Sequence, residues 1–88
     1  MLPIRLKTAR LRANLTQEKL GVLAGIEEAT ARSRISQYES GIHRPTFEMM
    51  CAFAKVLNVP ECYFYTVEDD FAEIILKLHD GEMVQWVK

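Results

Sequence analysis

No apolar run in this chain approaches the roughly 20 residues that span a bilayer, and the N-terminus lacks a signal-peptide pattern. Arg5, Lys7, Arg10 and Arg12 interrupt every apolar stretch there. A cytoplasmic protein with no membrane association is therefore expected. Cysteine is scarce. Cys51 and Cys62 match neither a disulfide framework nor a close-paired zinc signature, and both are read as plain core thiols in a reducing compartment. Repeats, linkers and low-complexity segments are absent. So is any catalytic constellation: His43, His79, Glu39, Cys51 and Cys62 show neither nucleophile–base nor metal-ligand spacing. The chain reads as a non-enzyme that needs no metal or cofactor, with no small-molecule ligand evident.

What is present is one small domain. A length of 88 residues, 49% of them apolar and 26% charged, allows a single core of ordinary globular composition. The net charge of -1 hides an asymmetry. Residues 1–45 hold eight Lys/Arg against four Asp/Glu, and residues 46–88 hold three against eight. An acidic total does not argue against a polyanionic partner, because a basic footprint on one face is what matters.

The pattern of apolar residues is helical throughout. A first helix is expected over about Ile4 to Ala13, with Pro3 at a position whose missing N–H is not needed, a core stripe of Leu6, Ala9 and Ala13, and Asn14 at its end. A second runs from Gln17 to Ala24, N-capped by Thr16 and stopped by Gly25, with Leu20, Leu23 and Ala24 facing inward. Gly21 inside it costs about 1 kcal/mol against alanine, and close approach by another helix is the expected return. A third helix ends near Ser40, with Gly41 beyond it and Ala31, Ile35 and Tyr38 pointing to the core. Its start is open: Glu27-Glu28-Ala29-Thr30 is either loop or an extra first turn. A fourth covers Phe47 to Leu57, capped by Thr46 and ended by a left-handed Asn58, with Phe47, Met50, Ala54 and Leu57 as its stripe. A short fifth follows from Pro60 to Tyr65.

Two short helices about a glycine turn, closed by a second glycine and a proline, occupy Thr16 to Pro45. The outer face of the second of them carries Arg32, Ser33, Arg34, Ser36 and Gln37. These are side chains that bond to phosphates and base edges in a major groove: a guanidinium pairs with guanine, a glutamine amide with adenine.

On these residues the chain resembles the lambda-repressor-like helix-turn-helix family, also called Xre/Cro-like regulators. The likeness runs from about Leu6 to Phe64. It includes Arg10, Thr16-Gln17, Leu20, Gly25, the run Ile35-Ser36-Gln37-Tyr38-Glu39, Gly41, Pro45 and the segment Ala54-Lys55-Val56-Leu57-Asn58-Val59. The resemblance implies an all-α, compact five-helix DNA-binding domain over residues 1–66 that acts on double-stranded DNA as a homodimeric regulator. It implies base contacts by Arg32, Ser33 and Gln37. Phosphate contacts are assigned to Thr16, Gln17, Arg34, Ser36 and Arg44, and a largely buried ion pair to Arg10 and Glu39. Two departures stand out. The family usually has alanine where Gly21 stands. The spacing from Gly25 to Ile35 is longer than usual by about four residues, roughly one helical turn.

Residues 67–88 lie beyond the five-helix pattern. An additional helix from Glu68 to His79 carries three acids at its start and Phe71, Ile74, Ile75 and Leu78 at helical spacing, and the tail adds Met83, Val84, Trp86 and Val87. This is more apolar side chain than a small core readily hides, so Phe71, Ile74, Ile75, Leu78 and Trp86 are expected to form a dimer interface, the alternative being that the segment packs back on its own core. The leading expectation is a repressor on a palindromic operator. The alternative is a protein-interaction module, such as the antitoxin half of a toxin–antitoxin pair, which the acidic second half would suit.

Overall fold

The computed structural model describes residues 1–81, which form five α-helices and one 3-10 helix, with no strand among them. The helices are α1 (Pro3–Arg12), α2 (Gln17–Leu23), α3 (Glu28–Glu39), α4 (Phe47–Leu57) and α5 (Asp69–His79), and the 3-10 helix is Glu61–Tyr65. The all-α expectation holds, and the short fifth helix of the sequence reading is the 3-10 turn. The apolar tail from Met83 to Val87, Trp86 included, lies outside the described residues.

Local chemistry sets most boundaries. The Thr16 hydroxyl accepts from the Lys19 N–H at 3.0 Å, and the Thr46 hydroxyl from the Met49 N–H at 3.1 Å, each satisfying a donor that has no partner within its helix. Asn14 and Asn58 end α1 and α4 in the left-handed region at φ 56° and 53°, where asparagine is tolerated. Gly25 and Gly41 do the same for α2 and α3 at φ 98° and 79°.

The helices close on one core. Leu6, Leu20, Ile35, Met50, Phe53, Tyr63 and Phe64 are its largest fully buried side chains. Each such burial is worth about 1.5–3 kcal/mol against exposure. Tyr38 meets Phe53 edge to face at 5.9 Å. Burial pushes the Tyr63 phenol above its ordinary pKa, although the nearby Arg5 charge opposes the shift.

Several expected core positions are corrected. Ala13 is exposed because α1 has already ended at Arg12, leaving Ala13 as its cap. Leu23 is half exposed: the inward face of α2 is centred on Leu20 and Gly21, and Leu23 is turned away from it. Phe47 is 68% exposed at the first position of α4, and the buried stripe of that helix is Met50, Phe53, Ala54 and Leu57. Cys62 is exposed and so is not a core thiol, whereas Cys51 is half-buried and packs against the core.

α5 packs onto the same core, and Ile75, expected at a dimer interface, belongs to this contact. Ala72 and Leu76 are buried, and Ile75 packs against the cluster. An acidic edge of this helix meets α1: Arg5 pairs with Asp69 at 2.9 Å, and Arg12 pairs with Asp80 just past the C-terminus. Phe71 and Leu78 are 43% and 53% exposed on another face, and Ile74 is half-buried.

Candidate nucleic-acid interface

α3 stands on a rigid base. It buries Ala31, Ile35 and Tyr38 and turns Ala29, Arg32, Ser33 and Ser36 outward. The open question at its start is settled: the helix begins at Glu28 with Glu27 as N-cap, so the additional residues form an extra turn continuous with the rest. Glu28 lies in that first turn, where the helix dipole favours an acid.

Two contacts fix α3. Gly21 of α2 has no side chain, and the Ala31 methyl fills the space. A Cβ built on Gly21 would stand 2.7 Å from the Cβ of Ala31 and 3.1 Å from its Cα. The second contact is ionic. Arg10 grips Glu39 with both arms of its guanidinium, Nε to Oε2 at 2.6 Å and Nη2 to Oε1 at 3.0 Å, and gives Nη1 to the Leu15 carbonyl at 2.9 Å. The two side chains are 10% and 5% exposed. Buried charges are tolerated when their hydrogen-bonding capacity is filled, and no buried side-chain N or O among the described residues lacks a partner. Gln17 joins the pair, its amide donating to Glu39 Oε1 at 3.2 Å. The expected structural ion pair is therefore present, and Gln17 props α3 as well as facing solvent.

The outward residues fall into three places. Thr16, Gln17 and Arg32 line an open groove where α1, α2 and α3 meet, together with Lys7 and Glu18. Gln17 and Arg32 also border a second depression with Ala29, Ser33 and Ser36. The structure thus brings Thr16, Gln17, Arg32, Ser33 and Ser36 onto one surface. The Ser33 hydroxyl donates to the Thr30 carbonyl at 3.1 Å within its own helix. Arg34 is placed elsewhere: it donates to the Tyr38 hydroxyl at 2.7 Å and lies over that ring. Gln37 is half-buried, and its main-chain carbonyl accepts from the Ile42 N–H at 3.0 Å, which holds the loop after α3. Arg44 is exposed in that loop, beside His43 and Pro45.

Two residues of this surface were not singled out from the sequence. Lys7 precedes Arg10 by one helical turn and was legible as its neighbour on α1. Ala29 reaches the surface only because the extra turn is helical, which periodicity alone left open.

This geometry has known counterparts. The helix-turn-helix family profile matches residues 6–64. Among solved structures, the chain is similar to the crystal structure of the transcriptional regulator BswR, with a TM-score of 0.87 and 46% sequence identity, covering 90% of this chain and 78% of that one. No curated protein matches the chain.

Proposed function

Because the chain belongs to the lambda-repressor-like (Xre) helix-turn-helix family, we propose that it is a sequence-specific DNA-binding regulator of transcription, a cytoplasmic repressor that reads a palindromic operator as a homodimer. The observation that carries this reading is the surface shared by α2 and α3. Arg32, Ser33, Ser36 and Gln17 face outward from a helix pair that Gly21–Ala31 packing and the buried Arg10–Glu39 bridge hold rigid. Preorganised donors on a fixed helix suit a major groove, where Arg32 and Ser33 reach base edges and Gln37 reads at the flank. Thr16, Gln17, Ser36 and Arg44 then take phosphates. Arg34 joins them only by leaving Tyr38.

The dimer rests on α5. It faces the core with buried Ala72 and Leu76 and half-buried Ile75, so the apolar side chains of Phe71, Ile74 and Leu78 lie to the side of the core contact. Packing that face against a second copy gives the twofold pair of reading helices that a palindrome requires.

Selection of bound sequences from a random duplex pool, followed by salt titration of the winning duplex, tests the reading. A palindromic consensus whose affinity falls steeply with salt is expected. A protein-interaction module would enrich no sequence and retain no duplex.

A further inference from the structure

We infer that Arg5 is a positioning residue: it sets how α5, and with it the second protomer, is held relative to the reading helix. The inference rests on the homodimer reading above.

Apart from Arg5, the segment leading into α5 is tied by the Thr66 hydroxyl, which donates to the Cys62 carbonyl at 2.8 Å. Between the buried Phe64 and the buried Ala72, residues 65 and 67–71 are exposed and only Thr66 is half-buried. Val67 is 79% exposed, so apolar burial does not fix this course. Arg5 does. Its side chain is 7% exposed, and it donates Nε to the Thr66 carbonyl at 3.0 Å and Nη2 to the Val67 carbonyl at 3.0 Å. Nη2 also reaches Asp69 Oδ1 at 2.9 Å, at the first turn of α5. The guanidinium lies 5.8 Å from the centre of the Tyr63 ring, which backs it from the core side. Two main-chain carbonyls held by one planar fork define a direction as well as a distance, which a lysine ammonium does not.

Arg5 also belongs to the helix that positions α3. Five residues further along α1, Arg10 grips Glu39 at the end of α3. At the C-terminal end of α1, Arg12 pairs with Asp80 beyond α5. One ten-residue helix is therefore bonded to the reading helix through Arg10 and to the two ends of α5 through Arg5 and Arg12. A change in the course of residues 66–69 would rotate α5 against α1. It would move the partner's reading helix along or around the duplex while leaving each half-site contact intact.

The test uses the full chain and duplexes that carry two inverted copies of the selected half-site. Their centre-to-centre separation is set at the selected value and then lengthened or shortened by one base pair. The wild type should prefer one separation by about tenfold or more, the scale of a lost recognition position. Arg5→Met keeps the apolar stem over Tyr63 but removes the donors. It should bind a single half-site within about twofold of wild type while its spacing preference shrinks severalfold. Arg5→Lys should move the same way by less, and it carries the test if Arg5→Met fails to show a cooperative melt. Folded Arg5→Met and Arg5→Lys chains with the wild-type spacing preference overturn the inference and leave the dimer standing. A wild-type chain indifferent to spacing overturns the dimer, and the inference with it.

Discussion

Ala31 occupies the space that a side chain on Gly21 would need, with 2.7 Å between the alanine Cβ and an ideal Cβ on the glycine. Alanine at position 21 would favour the α2 helix by about 1 kcal/mol. The overlap opposes it, because the neighbouring atoms are the Cβ, Cα and carbonyl of Ala31, which cannot swing aside. Forcing extra volume into a packed contact costs about 1–3 kcal/mol. Gly21→Ala is therefore expected to lower stability by about 1 kcal/mol in urea unfolding and to weaken operator binding by displacing α3. Adding Ala31→Gly should recover binding. A Gly21→Ala chain more stable than wild type would show that α2 and α3 separate freely.

Removing one partner of the Arg10–Glu39 bridge leaves the other charge buried. Glu39→Ala should destabilise the fold by about 3–5 kcal/mol, since Arg10 would keep only its bond to the Leu15 carbonyl. Replacing both residues with apolar side chains of similar volume should cost much less. Denaturant midpoints of the single and double variants decide this. Equal losses in the two would mean that Glu39 acts through something other than its partner.

On the DNA side, two classes of variant should behave differently. Arg32→Ala and Gln37→Ala are each expected to weaken specific binding by about 1–3 kcal/mol and to relax preference at one operator position. Arg44→Ala should weaken all sequences about equally and flatten the slope of log K against log salt by about one. Binding measured on the selected duplex and on a scrambled one, over a salt series, separates them. A uniform loss for Arg32→Ala, or a base-specific loss for Arg44→Ala, would reverse the assignments.

The proposed dimer is best probed by a single substitution. Ending the chain at Thr66 would also remove Ala72 and Leu76 from the core, and so would confuse association with folding. Leu78→Glu places a charge on a residue already 53% exposed. It should leave the thermal melt of the monomer nearly unchanged and shift sedimentation from dimer to monomer at micromolar concentration. A variant that still sediments as a dimer would move the interface off α5.

What could be read from the sequence depended on range. The threonine caps, the asparagine and glycine ends and the stripe Ala31, Ile35, Tyr38 are each encoded within a few residues, and all stand as expected. The Arg10–Glu39 bridge was legible because two opposite charges sit at recognisable positions of a known pattern. Arg5 was not. Its acceptors at Thr66 and Val67 are main-chain carbonyls 61 and 62 residues away, and a carbonyl carries no residue identity to find. The part of α5 that meets the chain's own core was not legible either. Periodicity marks Phe71, Ile74, Ile75 and Leu78 as one stripe, but it is Ala72 and Leu76, with Ile75 beside them, that pack against the core.

The ion pairs of α1 change what the opposed charges of the two halves mean. Arg5 and Arg12 come from the basic half, and their partners Asp69 and Asp80 come from the acidic half. Part of the polarity visible in the sequence is thus cancelled inside the molecule, along the contact between α1 and α5, before any polyanion arrives. Arg10 is likewise matched by Glu39. The cations of residues 1–45 left to displace condensed counterions from a duplex are Lys7, Lys19, Arg32, Arg34 and Arg44, of which Arg34 bonds only the neutral Tyr38 hydroxyl. Counterion release per chain should therefore scale with that smaller set rather than with the full complement of lysine and arginine in residues 1–45.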